Sequence, residues 1–137
     1  MQTRTSYFLE RLFDETMTLL VEARNYLHAN LHRDQQSAPD HTKLIYSTEI
    51  SRITLRLSTA MSWILARRAL HEGEISHAIV REQFPLQCRE ICDAQYPHLD
   101  FLLPRAICDL LQRTHALYGR IGRLDALESF TPELATA

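Results

Sequence analysis

A chain of 137 residues with 45% hydrophobic content has the length of one domain and enough apolar material to bury a core without disulfides or metal. Fifteen basic side chains stand among seventeen acidic ones, and this scattered pattern argues against the concentrated basic footprint of a nucleic-acid binder. No apolar run approaches the roughly 18 to 20 residues that span a bilayer, and Met1 to Tyr7 lacks the order of a secretory signal, so a cytoplasmic protein is expected.

A first helix is predicted from about Ser6 to Leu31, with Ser6 as its cap. Leu9, Phe13, Met17, Leu20, Leu27 and Leu31 keep the helical period, while Glu10, Asp14, Glu15 and Glu22 lie on the wetter side. From His32 to His41 the chain turns polar, with Pro39 before Asp40, which reads as a connection suited to an antiparallel return. Leu44 to Glu72 then runs without Pro or Gly and is closed by Gly73, which predicts one long spine helix. Tyr46, Ile50, Ile53, Leu57, Ala60 and Ile64 alternate in steps of four and three, so one face must be buried. Ser47, Ser51, Thr54, Ser58 and Ser62 form a second row, read as a place where another helix comes close. Ile45, Arg52, Arg56, Trp63 and Leu70 leave even the third face half apolar, so the spine is expected to be sandwiched, within a bundle or across a dimer.

Beyond Gly73, a left-handed cap, Ser76 can cap a short helix ending near Phe84, because Pro85 cannot continue it. Pro85, Pro97 and Pro104 punctuate the next twenty residues, in which one short helix is expected around Leu86 to Ala94. Pro104 suits the first turn of a third long helix carrying Ile107, Leu111, Leu117, Ile121 and Leu124 and ending near Glu128. Gly119 and Gly122 share a face of it and each costs about 1 kcal/mol relative to Ala, which points to a close neighbour or to a bent end. The expected fold is all-α: an antiparallel three-helix bundle with a short helical insert between helices 2 and 3, forming one domain over residues 1–130, followed by a disordered tail over 131–137.

Chemistry is sparse. His28, His32 and His41 offer a zinc constellation only by weak spacing, and solvated helix-end histidines are the preferred reading. Cys88 and Cys92, four apart with His98 downstream, suggest a metal or redox pair, but buried small hydrophobes fit better; with Cys108 the odd count favours free thiols. Three glycines cannot build a phosphate cradle, and no nucleophile elbow appears, so neither an enzyme nor a cofactor is expected. A helix-turn-helix across Ala66 to Phe84 has a poor first element and little basic charge in its second. Glu49, Arg52 and Arg56 make an ion-pair ladder on the spine or, with Trp63, an interface anchor, since Arg pairs with carboxylates and stacks on aromatic rings.

Those residues also carry a family likeness. Residues 44–75, LIYSTEISRITLRLSTAMSWILARRALHEGEI, resemble the signature helix of the RcdA family, regulators of CtrA degradation. Tyr46, Thr48, Glu49, Arg52, Arg56, Leu57, Trp63, Arg68, Glu72, Gly73 and Glu74 match its pattern. FDETMTLLVEARNYL in the first helix, CREICDAQ (88–95) and LYGRIGRLD (117–125) are similar to its other segments, the last through Leu117, Tyr118, Arg120, Arg123, Leu124 and Asp125. Gly119 and Gly122 depart from the helix formers expected there. The resemblance implies a dimeric, non-catalytic adaptor of alphaproteobacteria that joins a primed ClpX unfoldase and delivers cell-cycle cargo, including the response regulator CtrA, to the ClpXP protease. Glu49, Arg52, Arg56 and Trp63 are the first candidate group of protein-binding residues, and Tyr118, Arg120 and Arg123 the second. A small DNA-binding or nucleoid-associated regulator is the alternative.

Overall fold

The computed structural model describes the backbone of residues 4–130 and side chains through Glu128; the tail expected at Thr131 to Ala137 lies outside the described residues. Helix α1 spans Arg4–Ala29, α2 Leu31–Gln35, α3 Asp40–His71, α4 His77–Gln83 and α5 Arg89–Asp93; a 3₁₀ turn over Pro97–Leu102 leads into α6, Arg105–Phe130. No strand occurs among the described residues.

The spine helix begins four residues earlier than predicted. Pro39, extended at φ −63 and ψ 158, occupies its N-cap position, and the polar connection before it contains α2 rather than an open loop. In α1 the buried stripe is Leu9, Leu12, Thr16, Leu19 and Tyr26, displaced from the predicted one. Phe13, Leu20 and Leu31 pack only partly, while Met17 and Leu27 are exposed. Counting apolar residues missed this face because two of its members carry hydroxyls that find partners inside: Thr16 donates to the Leu12 carbonyl at 2.7 Å and Tyr26 to Asp34 at 2.6 Å.

Cross-helix pairs fix the topology. Glu15 meets Arg120 and Glu22 meets Arg113, so α1 and α6 run antiparallel. Arg68 lies 4.8 Å from the Phe13 ring centre, while Tyr26 and Tyr46 interact near the opposite ends of their helices, so α1 and α3 are antiparallel too. Arg56, however, reaches Leu111 and Thr114, Trp63 reaches Asp125, and Arg67 reaches Glu128. Both numbers rise together, so α3 and α6 are parallel. The expected alternation of three antiparallel helices is thereby corrected: residues 72–104 are no simple insert but a return along the bundle, far longer than the 2–8 residues that join antiparallel neighbours.

Ile53, Leu57, Ala60 and Ile64 of the spine meet Leu9, Leu12 and Leu19 of α1 and Ile107, Leu117 and Ile121 of α6 in one apolar cluster. The row Ser47, Ser51, Thr54, Ser58 and Ser62 is not a helix seam within this chain; all but the flanking Leu44 and Leu65 on this face are small and polar or half-covered, and the serines and Thr54 are exposed. Arg52, Arg56 and Trp63, read as the semi-solvated face, lie inside instead. The physical reason is hydrogen-bond demand: hydroxyls are content in water, whereas these long side chains have partners in the returning segment.

Gly73 ends the spine as predicted. At φ +77 it donates to the Leu70 carbonyl at 3.1 Å while Glu74 donates to Ala69 at 2.9 Å, the paired bonds of a left-handed helix terminus. No atom lies within 4 Å of where a Cβ would be, so the cost of a side chain there is conformational alone. Gly73→Ala should lower unfolding free energy by about 1 kcal/mol in urea denaturation with an unchanged slope.

Candidate functional site

Residues 84–104, hereafter the strap, lie between α3 and α6. Interrupted by Pro85, Pro97 and Pro104, this stretch cannot close its own ladder of backbone bonds, and carbonyls left buried without donors would be costly. Arginine is suited to that task, with five donors and no acceptor. Arg67 Nη1 donates to the Phe84 carbonyl, and Arg52 Nη1 donates to that of Ile91. Arg56 donates through Nε to Cys92 at 2.8 Å and through Nη2 to Ala94 at 2.9 Å. Its Nη1 serves α6, reaching the Leu111 carbonyl at 3.0 Å and Thr114 Oγ1 at 3.2 Å. From α6, the Tyr118 hydroxyl donates to the Gln87 carbonyl at 2.6 Å. One guanidinium, 1% exposed, thus joins spine, strap and α6.

The remaining predicted residues complete this scaffold. Glu49 accepts from Arg52 at 3.1 and 3.4 Å, and Arg52 in turn lies 5.0 Å from the Tyr96 ring centre. Trp63 Nε1 donates to Asp125 at 3.0 Å, while Arg67 sits 4.4 Å from the indole centre and bonds Asp125 and Glu128 at 3.3 and 2.8 Å. No buried side-chain nitrogen or oxygen among the described residues lacks a partner. Burial and the neighbouring Arg52 charge push the Arg56 pKa below its ordinary value, and burial raises that of Tyr118. Gly122 is explained by close approach: a Cβ there would stand 2.5 Å from Arg89 Nη1, whose guanidinium also lies 5.6 Å from the Tyr118 ring centre. Gly119 faces only the Arg123 side chain, at 3.7 Å from an added Cβ.

Of the seven candidate protein-binding residues, Glu49, Arg52, Arg56, Trp63 and Tyr118 are therefore buried together and engaged within the chain. Arg120, paired with Glu15, and Arg123 lie at the surface of α6. Arg67 was missed by sequence reasoning, although Arg52, Arg56, Trp63 and Arg67 continue one stripe at steps of four, seven and four. The strap's outward residues were missed as well: Ile91, Tyr96 and Phe101 are 52%, 44% and 83% exposed. Beneath Tyr96, between spine, strap and α6, a cleft of about 100 Å³ is lined by Glu49, Arg56, Gln95, Asp100 and Gln112.

His28, His32 and His41 are exposed, and no group of three His, Cys, Asp or Glu side chains among the described residues could hold a metal ion. The cysteines divide: Cys92 is buried and its thiol raised by that burial, Cys108 is half-buried, and Cys88 is exposed at φ +61. Native-state labelling with an aromatic disulfide at pH 8 should modify Cys88 first and Cys92 only at the rate of strap opening. Arg56→Ala strands carbonyls of both strap and α6 and should cost about 3 kcal/mol, read by urea denaturation, with amide exchange quickening over residues 89–94.

Comparison with known proteins agrees with this architecture. A model of the family described as "Protein of unknown function (DUF1465)" matches residues 1–135. The crystal structure of RcdA from Caulobacter crescentus CB15 superposes with a TM-score of 0.69 at 31% sequence identity, covering 86% of this chain and 88% of that one. No functionally curated protein matches by sequence. Nothing in these matches favours a DNA-binding reading. Sequence identity, extent of the match and the shared helical frame lead to one conclusion: this chain belongs to the RcdA family.

Proposed function

We propose that this protein is a non-catalytic adaptor of regulated proteolysis, helping to deliver cell-cycle regulators such as the response regulator CtrA to the ClpXP protease in the cytoplasm. The observation that carries the reading is the likeness to RcdA over nearly the whole of both chains at 31% identity. It gains support from where the polar side chains go. The most deeply buried arginines are spent on backbone carbonyls of the same chain, an investment in shape rather than in bond chemistry. An adaptor needs a fixed surface, because it acts by raising the effective concentration of cargo near the unfoldase.

In this reading the five buried candidates act on partners indirectly, by fixing the strap and its junction with α6, while Arg120 and Arg123 are the members of the set at the surface, where another protein can reach them. A homodimer is part of the proposal. Its seam belongs on the outer spine, where Leu44 and Leu65 are 69% and 47% exposed among small hydroxyl side chains, rather than on the Arg52 and Trp63 face.

Degradation of purified CtrA by ClpXP and its priming proteins, followed with and without this chain, tests the proposal. Acceleration of cargo loss is expected, and an unchanged rate under all priming conditions would refute it. Arg120→Glu combined with Arg123→Glu should lower that acceleration by about fivefold while leaving the melting temperature within about 2 °C, since exposed ion pairs contribute little to stability. Light scattering at tens of micromolar should return twice the 15.9 kDa chain mass.

A further inference from the structure

The strap has an inner and an outer side with different tasks. Leu86, Cys92 and Leu103 are buried on the inner side, and the arginine anchors hold its backbone. The side chains of Ile91, Tyr96 and Phe101 stand out in solvent on the other side. They are joined into one ridge. Arg52 holds the Ile91 carbonyl and stacks on Tyr96; the His98 ring meets Tyr96 edge-on at 6.2 Å; and residues three apart eclipse in a 3₁₀ turn, which puts Phe101 on the same side of the turn as His98. Phe101, at 83%, is the most exposed large hydrophobic residue in the described part of the chain. Monomer surfaces rarely hold such a cluster on a short rigid segment without use for it.

Charge says what would cover it. Between Phe84 and Pro104 there is one basic residue, Arg89, against three acidic ones, Glu90, Asp93 and Asp100, so this stretch carries the whole formal charge of −2 while the other fourteen bases and fourteen acids cancel. Arg89 and Asp93 pair with each other at 3.0 Å, which leaves Glu90 and Asp100 as the strap's exposed acids without an ion pair among the described residues. Alongside the ridge, the cleft beneath Tyr96 holds about 100 Å³, too small for a cofactor; Glu49 in its wall is buried and paired with Arg52, and Asp100 is its exposed carboxylate. Arg56 also lines it, with its donors already committed to four acceptors.

We propose that the outward face of the strap docks a basic segment of a partner protein, with Ile91, Tyr96 and Phe101 receiving its apolar side chains and the exposed carboxylates of Glu90 and Asp100 meeting its lysine or arginine ends. The inference rests on the adaptor reading only in taking the occupant to be a protein. Because the arginine anchors fix the strap beforehand, binding orders little on this side, and affinity gains accordingly.

A short fluorescein-labelled peptide of alternating lysine and leucine pairs, with a glutamate version as control, serves as probe in anisotropy titrations of the full chain. Saturable binding of the lysine peptide is expected, weakened at least about fivefold by Phe101→Ser and by Asp100→Asn, and unchanged by Leu127→Ser, an exposed leucine on the far part of α6. Both Phe101 and Asp100 are exposed, and circular dichroism melts of these variants should match the parent. Absence of saturable binding, equal binding of the glutamate peptide, or full binding by Phe101→Ser would overturn the proposal. So would a fall in assembly mass on Phe101→Ser, since the ridge would then belong to a second copy. The titration contains no protease: loss of ridge binding with cargo delivery intact refutes this surface alone, and ridge binding without delivery refutes the adaptor reading alone.

Discussion

Everything in this bundle depends on charged side chains satisfying a backbone that cannot satisfy itself. A proline-broken segment laid into a groove between two helices would ordinarily bury orphan carbonyls, each costing about 1–3 kcal/mol, and no apolar packing could repair that. Arg52, Arg56 and Arg67 meet the demand from one face of a single helix, and Tyr118 meets it from another. Burying a guanidinium is itself unfavourable, but Arg56 is compensated by four acceptors from strap and α6, and Arg52 and Arg67 by carboxylates as well. Remove the anchors and the return path has no means of lying down.

That return path in turn decides the topology. Two helices that follow each other in a bundle run antiparallel when the link is short, and α1 and α3 obey this with α2 as their link. α3 and α6 break it because the strap carries the chain back to the starting end before α6 begins. The parallel pair then places Asp125 and Glu128 beside Trp63 and Arg67, an arrangement that an alternating bundle would not permit.

Much of the fold was legible because helices announce themselves by period and punctuation: the spine, its Gly73 terminus, the Ser76 cap and the α6 start after Pro104 all rest on local chemistry. Direction was not legible, since it depends on where a stretch of irregular backbone goes, and that is set by donors on another element. The buried face of α1 was misplaced for a related reason: Thr16 and Tyr26 look polar in sequence and become core residues once a carbonyl and a carboxylate receive their protons. At the site, the family likeness and the residue spacing drew attention to Glu49, Arg52, Arg56, Trp63 and Tyr118 as protein-binding candidates, but spacing alone could not tell whether arginines on a helix face serve a foreign molecule or their own chain, and here all five are buried within it.

The pole at which α1 begins is also where α6 ends. Ser6 and Glu10 border the same small hollow as His71 and Glu72, and Glu128 is held by Arg67 a turn away. The Phe101 ridge sits at the opposite pole, near the α6 start, and a helix of 26 residues at about 1.5 Å rise puts roughly 39 Å between them. The described ends of α1 and α6 therefore gather at one cap of the molecule, and the aromatic crest crowns the other.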